Sequence, residues 1–263
     1  MKKCLITATV LTSLAGCAFA QTTVSSANIV GYVKAEKLGN NGYSLVGINF
    51  LTANQTLSEL LDNGLFTGNY SDVSLSDRIS IWNSATQKFE TYAYYYIDGT
   101  YTANEGWKLL SDFSYGGTVQ NPTIPSGSGI WLLSAASTTT TNIVISGNVD
   151  LSATVTKNIA EGLNILSNPY AVAVTIDGLE INATGSYTDS ALADRISLWN
   201  SATQKFETYA YYYIDGNYPA NEGWKLLSDF SYGGIVQNTT IEVGQAFWYR
   251  AQSNMTWIAT KPF

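Results

Sequence analysis

A long internal repeat constrains this chain more than any other feature of its sequence. Residues 77–121 align with residues 194–238 at a constant offset of 117 without a gap, and only four of the 45 positions differ. Looser similarity continues on both sides, since GYSLVGINF at 42–50 matches GLNILSNPY at 162–170 at an offset of 120. The repeat indicates two structural units of similar fold. Duplication alone therefore does not mark any short motif inside it as a binding site.

The residue pattern within the repeat is typical of β-strands. Apolar and aromatic runs are bounded by turn formers, and the pattern predicts a hairpin with arms at 78–82 and 88–97 joined by the turn NSATQ. Side chains of the second arm alternate between two faces, one with Phe89, Thr91, Ala93 and Tyr95 and the other with Glu90, Tyr92, Tyr94 and Tyr96.

These patterns predict an all-β protein of two tandem, internally duplicated β-sandwich or jelly-roll-like domains. We place a signal peptide at 1–20, the first β-domain at 21–141 and the second at 142–263, with the boundary in the threonine-rich run that ends at residue 141. The alternative is one continuous β-structure built from both halves.

The first twenty residues have the pattern of a cleaved secretory signal. Lys2 and Lys3 precede an apolar stretch, and Ala18-Phe19-Ala20 supplies small residues at a cleavage point. The stretch is short for a membrane span, so we expect a protein that is secreted or held on the outer cell surface. The alternative is a lipobox at 14–17, in which Cys17 carries a lipid anchor.

Composition excludes several classes of function. The chain has no histidine, and its two cysteines, Cys4 and Cys17, both fall in the signal, which removes Ser-His-Asp and Cys-His nucleophiles and the usual zinc ligands. Removal of Lys2 and Lys3 takes the formal net charge from −7 to −9, so nucleic acid is not an expected partner. The carboxylates lie in no hydrolase motif, and we expect no enzymatic activity.

Repeated aromatic residues are the strongest candidates for ligand contact. Flat aromatic rings stack on the C–H faces of sugars, and two copies raise avidity. The competing interpretation is that aromatic residues simply fit a pleated, half-buried surface, and we favour this structural role. The candidate ligand-binding residues are Trp82, Tyr92, Tyr94, Tyr96, Trp107, Trp199, Tyr209, Tyr211, Tyr213 and Trp224.

Acidic loop residues provide a candidate calcium site in each copy. Hard oxygen ligands suit calcium, although the spacing does not match an EF-hand, and plain loop polarity is the alternative. The candidate ligands are Asp98, Asn104, Glu105, Asp215, Asn221 and Glu222. We expect no other cofactor.

Self-association is a further expectation. The segment ETYAYYYI at 90–97 has high β-propensity, one charge and no proline, so it promotes assembly if it forms an edge strand.

The octapeptide WNSATQKF at 82–89 and 199–206 resembles a module of uncharacterised secreted bacterial β-repeat proteins, in which a Trp/Tyr hairpin precedes a Gly-x-Gly-Phe/Trp closing strand. GQAFWYR at 244–250 is similar to that closing strand, and GLNILSNPY at 162–170 is similar to an opening strand. Ala246 departs from the pattern, as does the missing proline before Gly244. The resemblance implies export and β-structure and transfers no site residue.

The sequence therefore predicts a non-catalytic structural or adhesive protein of the cell surface or extracellular matrix. The alternative is a carbohydrate-binding protein with duplicated Tyr/Trp platforms.

Overall fold

The computed structural model describes residues 29–61, 63–136 and 138–262. The predicted signal peptide at 1–20 and the candidate lipid anchor at Cys17 lie outside the described residues. Within the described ranges the chain is almost entirely β-structure, as predicted, with one short helix, α1 (Leu57–Leu60).

The first copy of the repeat, residues 29–149, contains two antiparallel sheets. Its strands are β1 (Val30–Lys37), β2 (Tyr43–Gly47), β3 (Arg78–Asn83), β4 (Lys88–Tyr95), β5 (Gly106–Leu109), β6 (Gly129–Leu133) and β7 (Thr141–Asn148). The larger sheet has the order β2-β6-β3-β4-β5, and β1 pairs with β7 in the smaller one.

The second copy, residues 150–262, repeats this topology. Its strands are β8 (Thr154–Ile159), β9 (Gly162–Ser167), β10 (Val174–Thr175), β11 (Arg195–Asn200), β12 (Lys205–Tyr212), β13 (Gly223–Leu226), β14 (Thr240–Ile241), β15 (Ala246–Ala251) and β16 (Met255–Thr260). The five-stranded sheet has the order β9-β15-β11-β12-β13, β8 pairs with β16, and β10 pairs with β14. The predicted tandem duplication of β-domains is thereby confirmed.

The predicted boundary between residues 141 and 142 falls at the start of β7. That strand pairs with β1 along its whole length, from Thr141 opposite Lys37 to Asn148 opposite Val30. The first copy therefore extends to the end of β7, and residues 149–153 connect it to β8.

Each copy buries its own core between its two sheets. In the first copy, the core side chains from the five-stranded sheet and from the β1–β7 pair include Val46, Ile79, Tyr92, Trp107, Ile130, Ile143 and Ile145. In the second copy, they include Leu166, Ile196, Tyr209, Trp224, Phe247, Tyr249 and Trp257. Removal of these apolar surfaces from water is the main driving force for each fold.

A buried aspartate ties the loops to the core in each copy, with a different partner in each. Asp77 accepts from two backbone N–H groups and forms an ion pair with Lys37 at 2.6 Å, and both side chains are buried. Its equivalent, Asp194, also accepts from two backbone N–H groups but takes its third hydrogen bond, at 2.7 Å, from the Tyr249 hydroxyl. Burial, together with the Asp194 carboxylate, raises the pKa of Tyr249.

Strand β4, which carries most of ETYAYYYI, is not an edge strand. It pairs with β3 on one side and with β5 on the other, and β12 has the same two neighbours in the second copy. Both sides of the segment are paired at Tyr92 and Ala93, so the folded chain offers no free edge there for the predicted self-association, which stays a prediction for the rest of the segment.

Candidate functional sites

The turn of each repeated hairpin, WNSATQKF at 82–89 and 199–206, contacts the other copy. In the first copy, Trp82 Nε1 donates a hydrogen bond to the Leu163 carbonyl oxygen at 2.7 Å. Gln87 Nε2 donates to the same oxygen at 3.0 Å, and Gln87 Oε1 accepts from Leu163 N at 2.8 Å. The glutamine amide thus forms hydrogen bonds with a backbone N–H and a backbone carbonyl group of the edge strand β9, as a neighbouring strand does.

The second copy makes the same contacts in the opposite direction. Trp199 Nε1 donates to the Tyr43 carbonyl oxygen at 3.1 Å. Gln204 Nε2 donates to that oxygen at 3.0 Å, and Gln204 Oε1 accepts from Tyr43 N at 3.1 Å. Because Tyr43 and Leu163 are equivalent in the repeat, the two contact sets are related by an approximate two-fold axis, as in an isologous dimer interface.

Aromatic pairs fill the space between the two sets of hydrogen bonds. Trp82 meets Trp248 edge to face, with ring centroids 5.1 Å apart, and Trp131 meets Trp199 in the same geometry at 5.0 Å. Three buried apolar side chains lie among these rings: Leu45, Ile165 and Ala246. Edge-to-face pairs stabilise by about 0.5–1.5 kcal/mol beyond the area they bury. WNSATQKF therefore acts as a docking element between the copies, a role that its sequence did not predict.

The centre of this interface requires glycine in the first copy. A Cβ atom at Gly129 would lie 2.4 Å from Ala246 Cβ and 2.6 Å from Ile165 Cγ2, both closer than real contacts allow. Ala246 is the equivalent of Gly129 in the repeat. The two copies therefore interlock because one carries the smaller residue where the other carries a methyl group.

The structure separates the ten predicted ligand-binding aromatics into three groups. Tyr92, Trp107, Tyr209 and Trp224 are core residues with 2–5% of their surface exposed, and Tyr94 and Tyr211 are half-buried against these cores. Trp82 and Trp199 are half-buried between the copies, whereas Tyr96 and Tyr213 remain exposed. The face of β4 that carries Tyr92 and Tyr94 is thus the core face of the sheet rather than an open platform.

Exposed tyrosines instead lie in the loops beyond the ends of β4 and β12. We use the term tyrosine cluster for Tyr70, Tyr101 and Tyr115 in the first copy and for Tyr187, Tyr218 and Tyr232 in the second. Each of these six rings is 44–57% exposed. Tyr101 and Tyr115 lie 6.1 Å apart edge to face, and their equivalents lie 6.0 Å apart.

The third tyrosine of each cluster lies near the same strand end. The N–H of Asn69, next to Tyr70 in the sequence, donates to the Tyr94 carbonyl oxygen at 3.4 Å, and the N–H of Ser186, next to Tyr187, donates to that of Tyr211 at 3.2 Å. Each cluster tyrosine is flanked by glycine, serine, asparagine, threonine or proline in the sequence. This turn-forming context is the sequence signal for exposure of these loops.

A carboxylate fixes the loop that carries Tyr101. Glu105 Oε1 accepts hydrogen bonds from the backbone N–H groups of Ile97, Asp98 and Gly99 at 2.9, 3.0 and 3.0 Å. Burial raises the pKa of Glu105, but these three donors outweigh it and hold the pKa below its usual value of 4.5. Glu222 makes the equivalent bonds in the second copy.

These hydrogen bonds occupy oxygen atoms of some of the candidate calcium ligands, which are Asp98, Asn104, Glu105, Asp215, Asn221 and Glu222. One oxygen of Glu105 is already used by the backbone, and Asp98 accepts from the backbone N–H of Thr100. Among the described residues, no group of three or more Asp, Glu, His or Cys side chains is arranged to hold a metal ion. Calcium binding stays a prediction from the sequence.

A buried lysine fixes the loop that carries Tyr115. The Lys108 ammonium donates to the Ser114 carbonyl oxygen at 2.6 Å and lies 4.0 Å from the centre of the Tyr95 ring. Burial lowers the pKa of Lys108, and the nearby Asp112 carboxylate partly opposes this. Lys225 makes the same contacts in the second copy. Two of the three loops of each tyrosine cluster are therefore anchored to the sheet by a charged group.

Two clefts open beside the docking hairpins. One has a volume of about 400 Å³ and the other about 470 Å³. They share the lining positions Trp82, Asn83, Ser84 and Glu90 in the first copy and Trp199, Asn200, Ser201 and Glu207 in the second.

A core tyrosine donates to the glutamate of each cleft. Tyr92 bonds Glu90 at 3.1 Å, and Tyr209 bonds Glu207 at 2.6 Å. Burial, followed by this hydrogen bond, raises the pKa of both hydroxyls to about 12. Lys157 lines only the first cleft, and burial lowers its pKa.

No helix among the described residues has the length and apolar character needed to cross a membrane. Comparison with protein-family models, with curated proteins and with solved structures found no match to this chain.

Proposed function

We propose that this chain is a non-catalytic, exported adhesive component of the cell surface or extracellular matrix, and that it holds its target through the two tyrosine clusters. The observation that carries this proposal is the duplication of an exposed aromatic surface on one body. Tyr101 and Tyr115 recur as Tyr218 and Tyr232 with nearly the same spacing.

Anchoring of the cluster loops supports an adhesive role. Exposed aromatic rings gain contact area at low entropic cost when their loops are already ordered, because little conformational freedom is lost on binding. Glu105 and Lys108 provide this order in the first copy, and Glu222 and Lys225 provide it in the second.

Docking of the two copies supports a bivalent mode of binding. The hairpin contacts and the tryptophan pairs hold the copies together, so both clusters are presented by one molecule. Two sites on one body raise overall avidity by about 10²–10⁴ over a single site when both reach the target.

The experiment is a retention assay of the purified protein on intact bacterial cells and on a panel of insoluble polysaccharides. Tyr101→Ser/Tyr115→Ser removes the first cluster, and Tyr218→Ser/Tyr232→Ser removes the second. Tyr32→Ser is the matched control, since Tyr32 is 68% exposed but lies on β1, in neither cluster. We expect about a 100-fold loss of avidity for either cluster variant, a complete loss when both are combined, and no change for the control. Equal retention of all variants would contradict the proposal.

A second candidate function, carbohydrate binding, is favoured by the two clefts. Each cleft brings an indole, a carboxylate and small polar side chains together, which is the mixture of apolar and hydrogen-bonding groups that a sugar requires. Glu90→Gln/Glu207→Gln removes the charge while keeping an acceptor for the tyrosine hydroxyls. Loss of polysaccharide binding in this variant, with unchanged binding in the cluster variants, would favour the clefts over the tyrosine clusters.

A further inference from the structure

We propose that the docking surfaces that join the two copies within one chain also join different chains, with the first copy of one chain bound to the second copy of another. The partner is thus a second molecule of this protein. The contact uses the docking hairpins and the tryptophan pairs rather than a free edge of ETYAYYYI.

Each copy has the internal structure that such an exchange requires. The first and second copies have separate hydrophobic cores, and the cluster between them is much smaller, with three buried side chains. Opening of the interface therefore leaves both cores intact. It exposes the four tryptophans, the two edge-strand backbones that the glutamines satisfy, and the backbone groups that pair across the interface, such as Gly47 N with the Gly244 carbonyl oxygen and Ser167 N with the Gly127 carbonyl oxygen. A second chain can cover all of these groups.

The interface does not accept two second copies. A methyl group in place of the Gly129 hydrogen would lie 2.4 Å from Ala246 Cβ, so two second copies, each with alanine at this position, collide. Asn49 Oδ1 accepts from Gly244 N at 2.7 Å, but the residue equivalent to Asn49 in the second copy is Pro169, which has no side-chain acceptor. Pairing of a first copy with a second copy is therefore favoured over pairing of two second copies.

This asymmetry determines the products of exchange. Two chains can exchange reciprocally to give a closed dimer, or each chain can bind the next to give an open polymer, as for any heterologous contact that does not close. The connection at 149–153 keeps the two copies of one chain close together, with an effective concentration on the order of mM. The closed monomer therefore dominates in dilute solution, and exchange occurs at the local concentrations of a dense surface layer or matrix.

The test uses two full-length variants that complement each other. Gly129→Leu blocks the first copy, and Ala246→Leu blocks the second, so neither variant can form the native contact within its own chain. In an equimolar mixture, the intact second copy of the Gly129→Leu chain meets the intact first copy of the Ala246→Leu chain. We expect the Gly129→Leu variant alone to be monomeric, because its free second copies collide with one another. We expect the mixture to form a species of twice the chain mass by size-exclusion chromatography with light scattering.

The matched control is Gly116→Leu, because a side chain at Gly116 meets nothing within 4 Å. This variant keeps the closed monomer, so its mixture with Ala246→Leu stays monomeric. A Gly129→Leu/Ala246→Leu mixture that also stays monomeric, with far-ultraviolet circular dichroism equal to that of the wild type, would overturn the proposal.

A second measurement avoids substitutions altogether. Isotopically light and heavy wild-type chains are unfolded, mixed, refolded at high concentration and analysed by native mass spectrometry. We expect a mixed light–heavy dimer whose fraction falls on dilution, whereas monomers alone at every concentration would overturn the proposal even if the leucine variants fail to fold.

Discussion

Substitution of the two residues at the centre of the interface tests the packing of the two copies quantitatively. Gly129 and Ala246 face each other there, and Ala246 is fully buried. The backbone of Gly129 lies outside the region that only glycine favours, so Gly129→Ala adds a methyl group without backbone strain. Gly129→Ala, Ala246→Gly and the double variant Gly129→Ala/Ala246→Gly form a thermodynamic cycle.

The magnitudes follow from the contacts. Overpacking at Gly129 costs about 1–3 kcal/mol of unfolding free energy. Ala246→Gly loses about 0.8 kcal/mol for the buried methyl group and about 0.5–1 kcal/mol for the added chain entropy of glycine. The double variant removes the clash with Ala246 but keeps the contact with Ile165 Cγ2. We therefore expect it to be more stable than the sum of the single effects predicts, by about 1–2 kcal/mol.

Urea unfolding followed by tryptophan fluorescence measures all four free energies, because the four interface tryptophans report on the contact. Gly116→Ala is the control, since it adds the same methyl group where space is open. Additivity of the two substitutions to within about 0.5 kcal/mol would show that the residues do not touch, and the reasoning on docking would then be refuted.

Three further outcomes are expected. Lys37→Met leaves Asp77 buried without its ammonium partner and should lower the unfolding free energy, measured with urea, by about 3–5 kcal/mol. A decrease below about 1 kcal/mol would mean that the backbone N–H donors alone stabilise the Asp77 carboxylate. The pKa of Glu105 is lowered on folding, so its contribution to stability is present above pH 4.5 and is lost as the pH falls through the lower folded value. Glu105→Gln should therefore lose less stability than the wild type on acidification. Parallel plots of unfolding free energy against pH for the two proteins would contradict this. Tyr92 and Tyr209, with pKa values of about 12, stabilise the fold below pH 10 and lose this contribution as the pH rises through 12. Absorbance at 295 nm should therefore show ionisation near pH 12 that Tyr92→Phe/Tyr209→Phe removes, and an unchanged titration in that variant would contradict the assignment.

The sequence predicted the elements of this fold better than their contacts. The hairpin of β3 and β4 follows from alternation and turn chemistry, and alternation also assigned Tyr92 and Tyr94 correctly to one face. Both faces of β4 are aromatic, however, and both carry buried residues, so the local pattern does not decide which face meets the main core. That choice depends on Trp107 and on Phe66, whose ring lies 4.9 Å from that of Trp107, contacts that only the folded chain brings together.

The docking role of the hairpin could not be predicted from its own sequence, because this role also depends on a contact with a distant part of the chain. The partner of Trp82 is a backbone carbonyl 81 positions away, and a carbonyl carries no information about its residue type. The loop tyrosines are different, since Tyr115 stands in the segment Ser-Tyr-Gly-Gly, whose turn character does predict exposure.

Hydrogen exchange of two indole protons directly tests the reciprocal docking of the two copies. Nε1–H of Trp82 and Nε1–H of Trp199 are bonded across the interface, and the Trp→Phe variant at each position assigns its signal in a ¹H–¹⁵N spectrum. We expect both protons to exchange about 100-fold or more slowly than in the unfolded chain, which corresponds to an opening free energy of about 2.7 kcal/mol. Exchange of both at the unprotected rate in the folded protein would show that the copies are not docked through their hairpins.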